Sequence, residues 1–145
     1  MRHARSILSA AALAAILAAP ALADESRLVT VVTSDHPQTQ LAAMVLSTQA
    51  VGQGASLHML LCGPAGDIAL RDAPESVTAP QPPLDMSPQG MLAGLIEQGA
   101  TVEVCAIYLP GRGADASVLI EGVSVAEPPA MAGAMLAQDA RVWSF

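Results

Sequence analysis

The sequence predicts an α/β fold: a small doubly wound sheet of five parallel strands sandwiched between two layers of helices. Three observations carry this. Apolar, β-branched runs alternate with helical patterns four times, the mark of successive βαβ units. Parallel crossovers in one sheet are right-handed, so such a series wraps helices onto both faces. The chain is also long enough for one domain with a single core, and it shows neither an internal repeat nor a composition break that would mark a second domain.

The elements follow in order. Leu28-Val29-Thr30-Val31-Val32-Thr33 is a buried strand ending at the turn Ser34-Asp35-His36-Pro37. Pro37 suits the first turn of a helix, with Asp35 or His36 near its cap. That helix carries Leu41, Met44, Val45 and Leu46 at helical spacing and stops at Gly52-Gln53-Gly54. Ser56 to Cys62 is a second apolar strand, closed by Gly63-Pro64. From Gly66 to Gln89 the prolines make a long irregular loop, with one helical turn expected near Asp67–Arg71. Ser87-Pro88 reads as a cap and first turn, and the helix behind it runs through Met91, Leu92, Leu95 and Ile96 to Gly99. Val102 to Cys105 is the third strand, followed by a Pro110–Gly113 turn and a short helix over Asp115–Ile120. Gly122 to Val125 is a brief fourth strand. Pro128 opens a last helix through Met131, Met135 and Leu136, and Arg141 to Phe145 is the fifth strand.

The first 23 residues have the pattern of a cleaved secretory signal. Arg2, His3 and Arg5 form a basic start, Ile7 to Ala19 is apolar, and Ala21-Leu22-Ala23 is an A-x-A cleavage site. The expected product, residues 24–145, is an exported protein, with a bacterial periplasm as the compartment that fits best. Nothing in it reaches the roughly 18 consecutive apolar residues of a membrane span, so no stable membrane insertion is expected.

Charge narrows the partners. The whole chain carries −7, and its six basic residues are all arginine. Removal of Arg2 and Arg5 leaves Arg27, Arg71, Arg112 and Arg141 against 13 acidic residues. Such a surface repels nucleic acid, which is bound by neutralising phosphates. It also makes Arg112 conspicuous as a local cation.

The chemistry centres on Cys105. An apolar strand delivers this thiol to its carboxyl end, where open α/β sheets gather their ligands. Arg112, flanked by Gly111 and Gly113, follows seven residues later. An arginine beside a thiol favours the thiolate, the form that attacks sulfur electrophiles. A buried structural cysteine is the competing reading. Cys62 also ends a strand. An oxidising compartment allows a Cys62–Cys105 disulfide. In a flavodoxin-like strand order, however, the two cysteine strands would both flank the first strand, about 9–10 Å apart and beyond the roughly 7 Å reach of a relaxed bridge. Cys62 then acts as a resolving thiol only if loops move; otherwise it fills core space. His36, beside Asp35 at the same sheet edge, is an auxiliary candidate as a general base, with helix capping as its plainer role.

With these residues placed, the chain resembles the DsrE/DsrF-like family of sulfur-relay proteins, including the TusD-type carriers. The resemblance runs from Leu28 to Phe145. It rests on Gly99-Ala100-Thr101-Val102-Glu103-Val104-Cys105, Gly111-Arg112-Gly113, Leu119-Ile120-Glu121-Gly122-Val123 and Ala140-Arg141-Val142-Trp143-Ser144-Phe145. It implies a DsrE-like sandwich, with Cys105 as the position that accepts persulfide sulfur and Arg112 as the loop arginine. It further implies a sulfur donor or acceptor, either a protein or a small sulfur species, and a homo-oligomer. The Pro-rich stretch from Ala73 to Pro88 and the export signal depart from the pattern.

Other classes are weaker. His58, Met59, Cys62, Met86 and Met91 make a soft-metal (copper) set on paper, but His58 and Cys62 lie within one strand and the methionines fit helix faces. No metal or cofactor is expected. Ser34-Asp35-His36-Pro37 lacks the glycines that close phosphate approach requires, which argues against a nucleotide or flavin. Ser34 and Ser117 have no nucleophile-elbow context. A non-catalytic oligomeric binding module, with Cys105 inert, is the alternative from a different class.

Overall fold

The computed structural model describes residues 26–145; the expected leader lies outside them. The strands are β1 (Arg27–Val32), β2 (Ser56–Leu61), β3 (Thr101–Val104), β4 (Val123–Val125) and β5 (Ala140–Ser144). They form one five-stranded sheet in the order β4-β3-β2-β1-β5, every pair parallel. The α/β class and the strand count are those the sequence predicts.

Five helices join them: α1 (Pro37–Gly52), α2 (Glu75–Thr78), α3 (Pro88–Glu97), α4 (Tyr108–Arg112) and α5 (Pro128–Leu136). Two 3-10 segments, Gly63–Ala69 and Ala116–Val118, complete the connections. The local signals act as expected. Pro37 opens α1 and Pro88 opens α3, where Ser87 Oγ accepts the Gly90 N–H at 3.1 Å. Gly99 follows α3 at φ +90°, a left-handed conformation that only glycine adopts without strain.

Four details differ. A short helix, α2, forms over Glu75–Thr78 inside the stretch expected to be a loop. The chain after Cys62 enters a 3-10 segment at once rather than waiting until Asp67. The turn expected over Pro110–Gly113 is the end of α4, which starts at Tyr108. The short helix expected over Asp115–Ile120 shrinks to the 3-10 turn Ala116–Val118, capped by Asp115, whose carboxylate accepts the Ser117 N–H at 2.8 Å.

The two sheet faces are covered unequally. Leu28 and Val32 of β1, Met59 and Leu61 of β2, and Val102 and Val104 of β3 point toward α1 and α3. There they meet Met44, Leu92 and Leu95 in the main core, all three fully buried. Thr30 and Ser47, both buried on this side, satisfy each other through a 3.1 Å hydrogen bond. The alternate strand residues point toward α5, where only Val29, Leu60, Ala126 and Met131 are buried in a small second cluster.

Candidate functional site

The register of β2 on β3 pairs Leu60 with Glu103 and Leu61 with Val104. One step further it sets Cys62 beside Cys105. The ladder continues past the strands to hold them: Cys62 N–H donates to the Val32 carbonyl, and Cys105 N–H donates to the Leu61 carbonyl, each at 2.9 Å. Neighbouring strands lie about 4.8 Å apart, and these two Cα atoms are 5.0 Å apart. Side chains alternate along a strand, so Cys62 and Cys105 both leave toward α5. They are bonded as a disulfide.

This corrects the expectation that the two cysteine strands flank β1. It is β2 that lies between β1 and β3, so no loop movement is needed to join the thiols. The 9–10 Å separation follows from a strand order this molecule does not have.

Beside the disulfide is a cavity of about 270 Å³, lined by Leu60, Cys105, Ala106, Ala126, Pro128, Met131, Ala132 and Met135. Cys105 reaches its wall and Cys62 does not. Every other lining residue is apolar, so Cys105 borders a greasy, soft surface containing two thioethers.

Arg112 is engaged elsewhere. Its guanidinium donates to Asp67 Oδ1 at 2.8 Å and lies over the Tyr108 ring, 5.5 Å from the centroid. Tyr108 Oη donates to the same carboxylate oxygen at 2.6 Å. Burial, then the hydrogen bond to Asp67 and its negative charge, push the Tyr108 phenol well above its ordinary value, with Arg112 opposing. Arg112 also lines a different cavity, with Leu70, Arg71, Asp72 and Ser117. The Asp67–Tyr108–Arg112 cluster ties the segment that follows Cys62 to the helix that follows Cys105. Arg112 is thus placed to position the two cysteine loops. Sequence reasoning missed Asp67 and Tyr108, for their partnership spans 41 residues without a local pattern.

His36 sits at the same carboxyl edge, exposed, as the N-cap of α1. Its side chain makes no capping bond, and its backbone N–H donates to Ser34 Oγ at 3.1 Å. The copper set is scattered. Met59 is buried on the α1 side of β2, while His58 and Cys62 face α5. His58 Nε2 is instead hydrogen-bonded to Glu103 Oε2 at 2.7 Å. Among the described residues, no three His, Cys, Asp or Glu side chains are placed to hold a metal ion.

No protein-family model and no curated protein matches the chain. Solved structures do. The YchN protein of E. coli superposes with a TM-score of 0.66 at 22% identity, covering 83% of this chain and 99% of its own. A protein of unknown function from Methanobacterium thermoautotrophicum, MTH1491, does so with a TM-score of 0.61 at 15% identity and the same coverage. The chain has a DsrE-like fold. At these identities the likeness is one of architecture: the DsrE-like sandwich is shared, and the chemistry must be argued from the residues of this chain.

Proposed function

We propose that this protein handles reactive sulfur, carrying it as a persulfide on Cys105 with Cys62 as the resolving thiol. The observation that carries this is the placement of the pair. Two cysteines end adjacent parallel strands at the carboxyl edge of a DsrE-like sheet, and one of them opens on a cavity.

In the reduced protein, the Cys105 thiolate attacks the terminal sulfane sulfur of a polysulfide or a donor's persulfide. A new S–S bond forms, the donor's S–S bond breaks, and the donor leaves one sulfur shorter. An acceptor thiol then attacks the outer sulfur and restores Cys105. Without an acceptor, the Cys62 thiolate attacks the inner sulfur, closes the disulfide and expels hydrosulfide. The side chains lining the cavity beside Cys105 are apolar, so they offer the outer sulfur no hydrogen-bonding group. The donor or acceptor is a small sulfur species or a protein thiol, in an exported, oxidising compartment that suits a disulfide. Assembly of the subunit into a homo-oligomer belongs to the same reading.

The test is the intact mass of the reduced protein after brief polysulfide exposure, beside Cys105→Ser and Cys62→Ser. Cys62→Ser, which lacks the resolving thiol, should keep one added sulfur that reductant removes. The wild type should gain it transiently before closing its disulfide, and Cys105→Ser should gain none. The competing reading, a structural staple in a binding module, predicts that no form gains sulfur, Cys62→Ser included.

A further inference from the structure

The oxidised form has a reactivity of its own. Thiol–disulfide exchange proceeds by attack on one sulfur and departure of the other, so the outcome depends on which sulfur the nucleophile can reach. Here the two half-buried cysteines are placed differently with respect to a cavity. Cys105 forms part of the cavity wall, and Cys62 is absent from that wall. A nucleophile inside the cavity therefore meets Cys105, with Cys62 as the leaving group.

The wall also selects the nucleophile. Apart from Cys105 it consists of Leu60, alanines, Pro128, Met131 and Met135, with neither a cation nor a hydrogen-bonding side chain. The nearest conspicuous cation in the sequence, Arg112, is held by Asp67 and lines another cavity. The chain as a whole carries −7. A doubly charged oxyanion such as sulfite would lose its hydration there without compensation. Hydrogen sulfide and its monoanion are small and soft, and at neutral pH a large share is uncharged. The cavity, at about 270 Å³, is ample for one, since a water takes roughly 30 Å³ of liquid volume.

We propose that the oxidised protein is a sulfide acceptor, loaded by hydrosulfide entering the Met131–Met135 cavity and attacking Cys105. This rests on the carrier reading and names a second substrate class for the same site. The step balances. The hydrosulfide sulfur bonds to Cys105 Sγ, and the Cys62–Cys105 bond breaks. Cys62 departs with the electron pair as a thiolate. The proton of hydrosulfide stays on the new persulfide or passes to Cys62. Sulfide is oxidised by two electrons to sulfane sulfur and the disulfide is reduced by two, so no further oxidant is consumed. Oxidised and reduced protein thus reach the same Cys105 persulfide from opposite directions, one from sulfide and one from sulfane sulfur.

The experiment treats fully oxidised protein with sodium sulfide in the presence of an alkylating trap, followed by intact mass and peptide mapping. A parallel sample receives sulfite at equal concentration, and reduced protein receives polysulfide. The expected result is a gain of one hydrogen sulfide before alkylation is counted, with the extra sulfur on Cys105 and a plain alkylated thiol on Cys62. Sulfide should react at least tenfold faster than sulfite. Extra sulfur on Cys62, faster reaction with sulfite, or an unreactive disulfide would each overturn the proposal. If reduced protein still gains sulfur from polysulfide while oxidised protein ignores sulfide, the carrier reading stands and this inference falls. If neither reacts, both fall. A second variant, Ala132→Phe, places a ring at the cavity wall on exposed α5. It should slow sulfide loading several-fold with its thermal midpoint retained, and an unchanged rate with an intact fold would sink the assigned entry route.

Discussion

The two faces of the sheet do different work. Toward α1 and α3, strand residues and helix residues close over one another until Val32, Met44, Met59, Leu61, Leu92, Leu95 and Val104 are fully buried. Toward α5 only four residues are buried, and α5 itself buries Met131 alone. Leu136 at its end and Val142 on β5 remain exposed. The same thin face carries the Cys62–Cys105 disulfide, the His58–Glu103 hydrogen bond and the cavity beside Cys105. One face therefore holds the fold, and the other is thinly covered where the disulfide lies. A dense cover over the cysteines would stabilise the protein and close the site.

Paired core substitutions give the strongest test of that division. Leu92→Ala removes a fully buried side chain from the thick face and should cost about 2–5 kcal/mol. Met131→Ala on the thin face should cost clearly less, because its surroundings are partly open and can collapse or hydrate. Chemical denaturation midpoints at constant slope would measure both. Equal losses would break the comparison.

Gly66→Ala probes the tie between the cysteine loops. A Cβ at Gly66 would run into the Tyr108 ring. Overpacking of this kind costs about 1–3 kcal/mol. The displaced Tyr108 would also loosen its hold on Asp67, so sulfur loading at Cys105 should change along with stability. A stability loss with unchanged loading would show that the cluster supports the fold without positioning the site.

The smallest expected effect is a pH dependence. Tyr108 is the chain's single tyrosine, so tyrosinate absorbance reports one group. Its folded-state value is raised, so the folded protein binds more protons than the unfolded chain once pH exceeds the ordinary phenol value of about 10. The stabilisation is complete below that value and is lost as pH rises from there toward the folded-state value. Tyr108→Phe should flatten the decline in stability over that alkaline window. A wild-type phenol that titrates near 10 in the folded state would contradict the burial of this ring.

Much of the fold was legible locally. Residues 28–33 read as a strand because β-branched apolar residues run up to a Ser-Asp-His-Pro turn, and β1 spans Arg27–Val32. Ser87-Pro88 read as a helix start because a hydroxyl can take an orphan N–H of the first turn, and Ser87 does so. Met at helical spacing read as core, and Met44 is buried. The site was legible only in part. Cys105 at a strand end was visible. Its bond to Cys62 was open to the sequence but set aside on a strand order the molecule does not have, and the engagement of Arg112 by Asp67 was not visible.

The sequence by itself determined the five strands, the three longer helices, their order and the parallel class, because caps, breakers and hydrophobic periods act within a few residues of themselves. The tertiary structure decided which strands are neighbours. Nothing within β2 or β3 states that they pair with each other rather than with opposite sides of β1. That choice depends on how every crossover packs at once. It sets Cys62 and Cys105 5.0 Å apart across 43 residues of chain. It also decides which cysteine lines the cavity, because only the assembled sheet and α5 together make a wall.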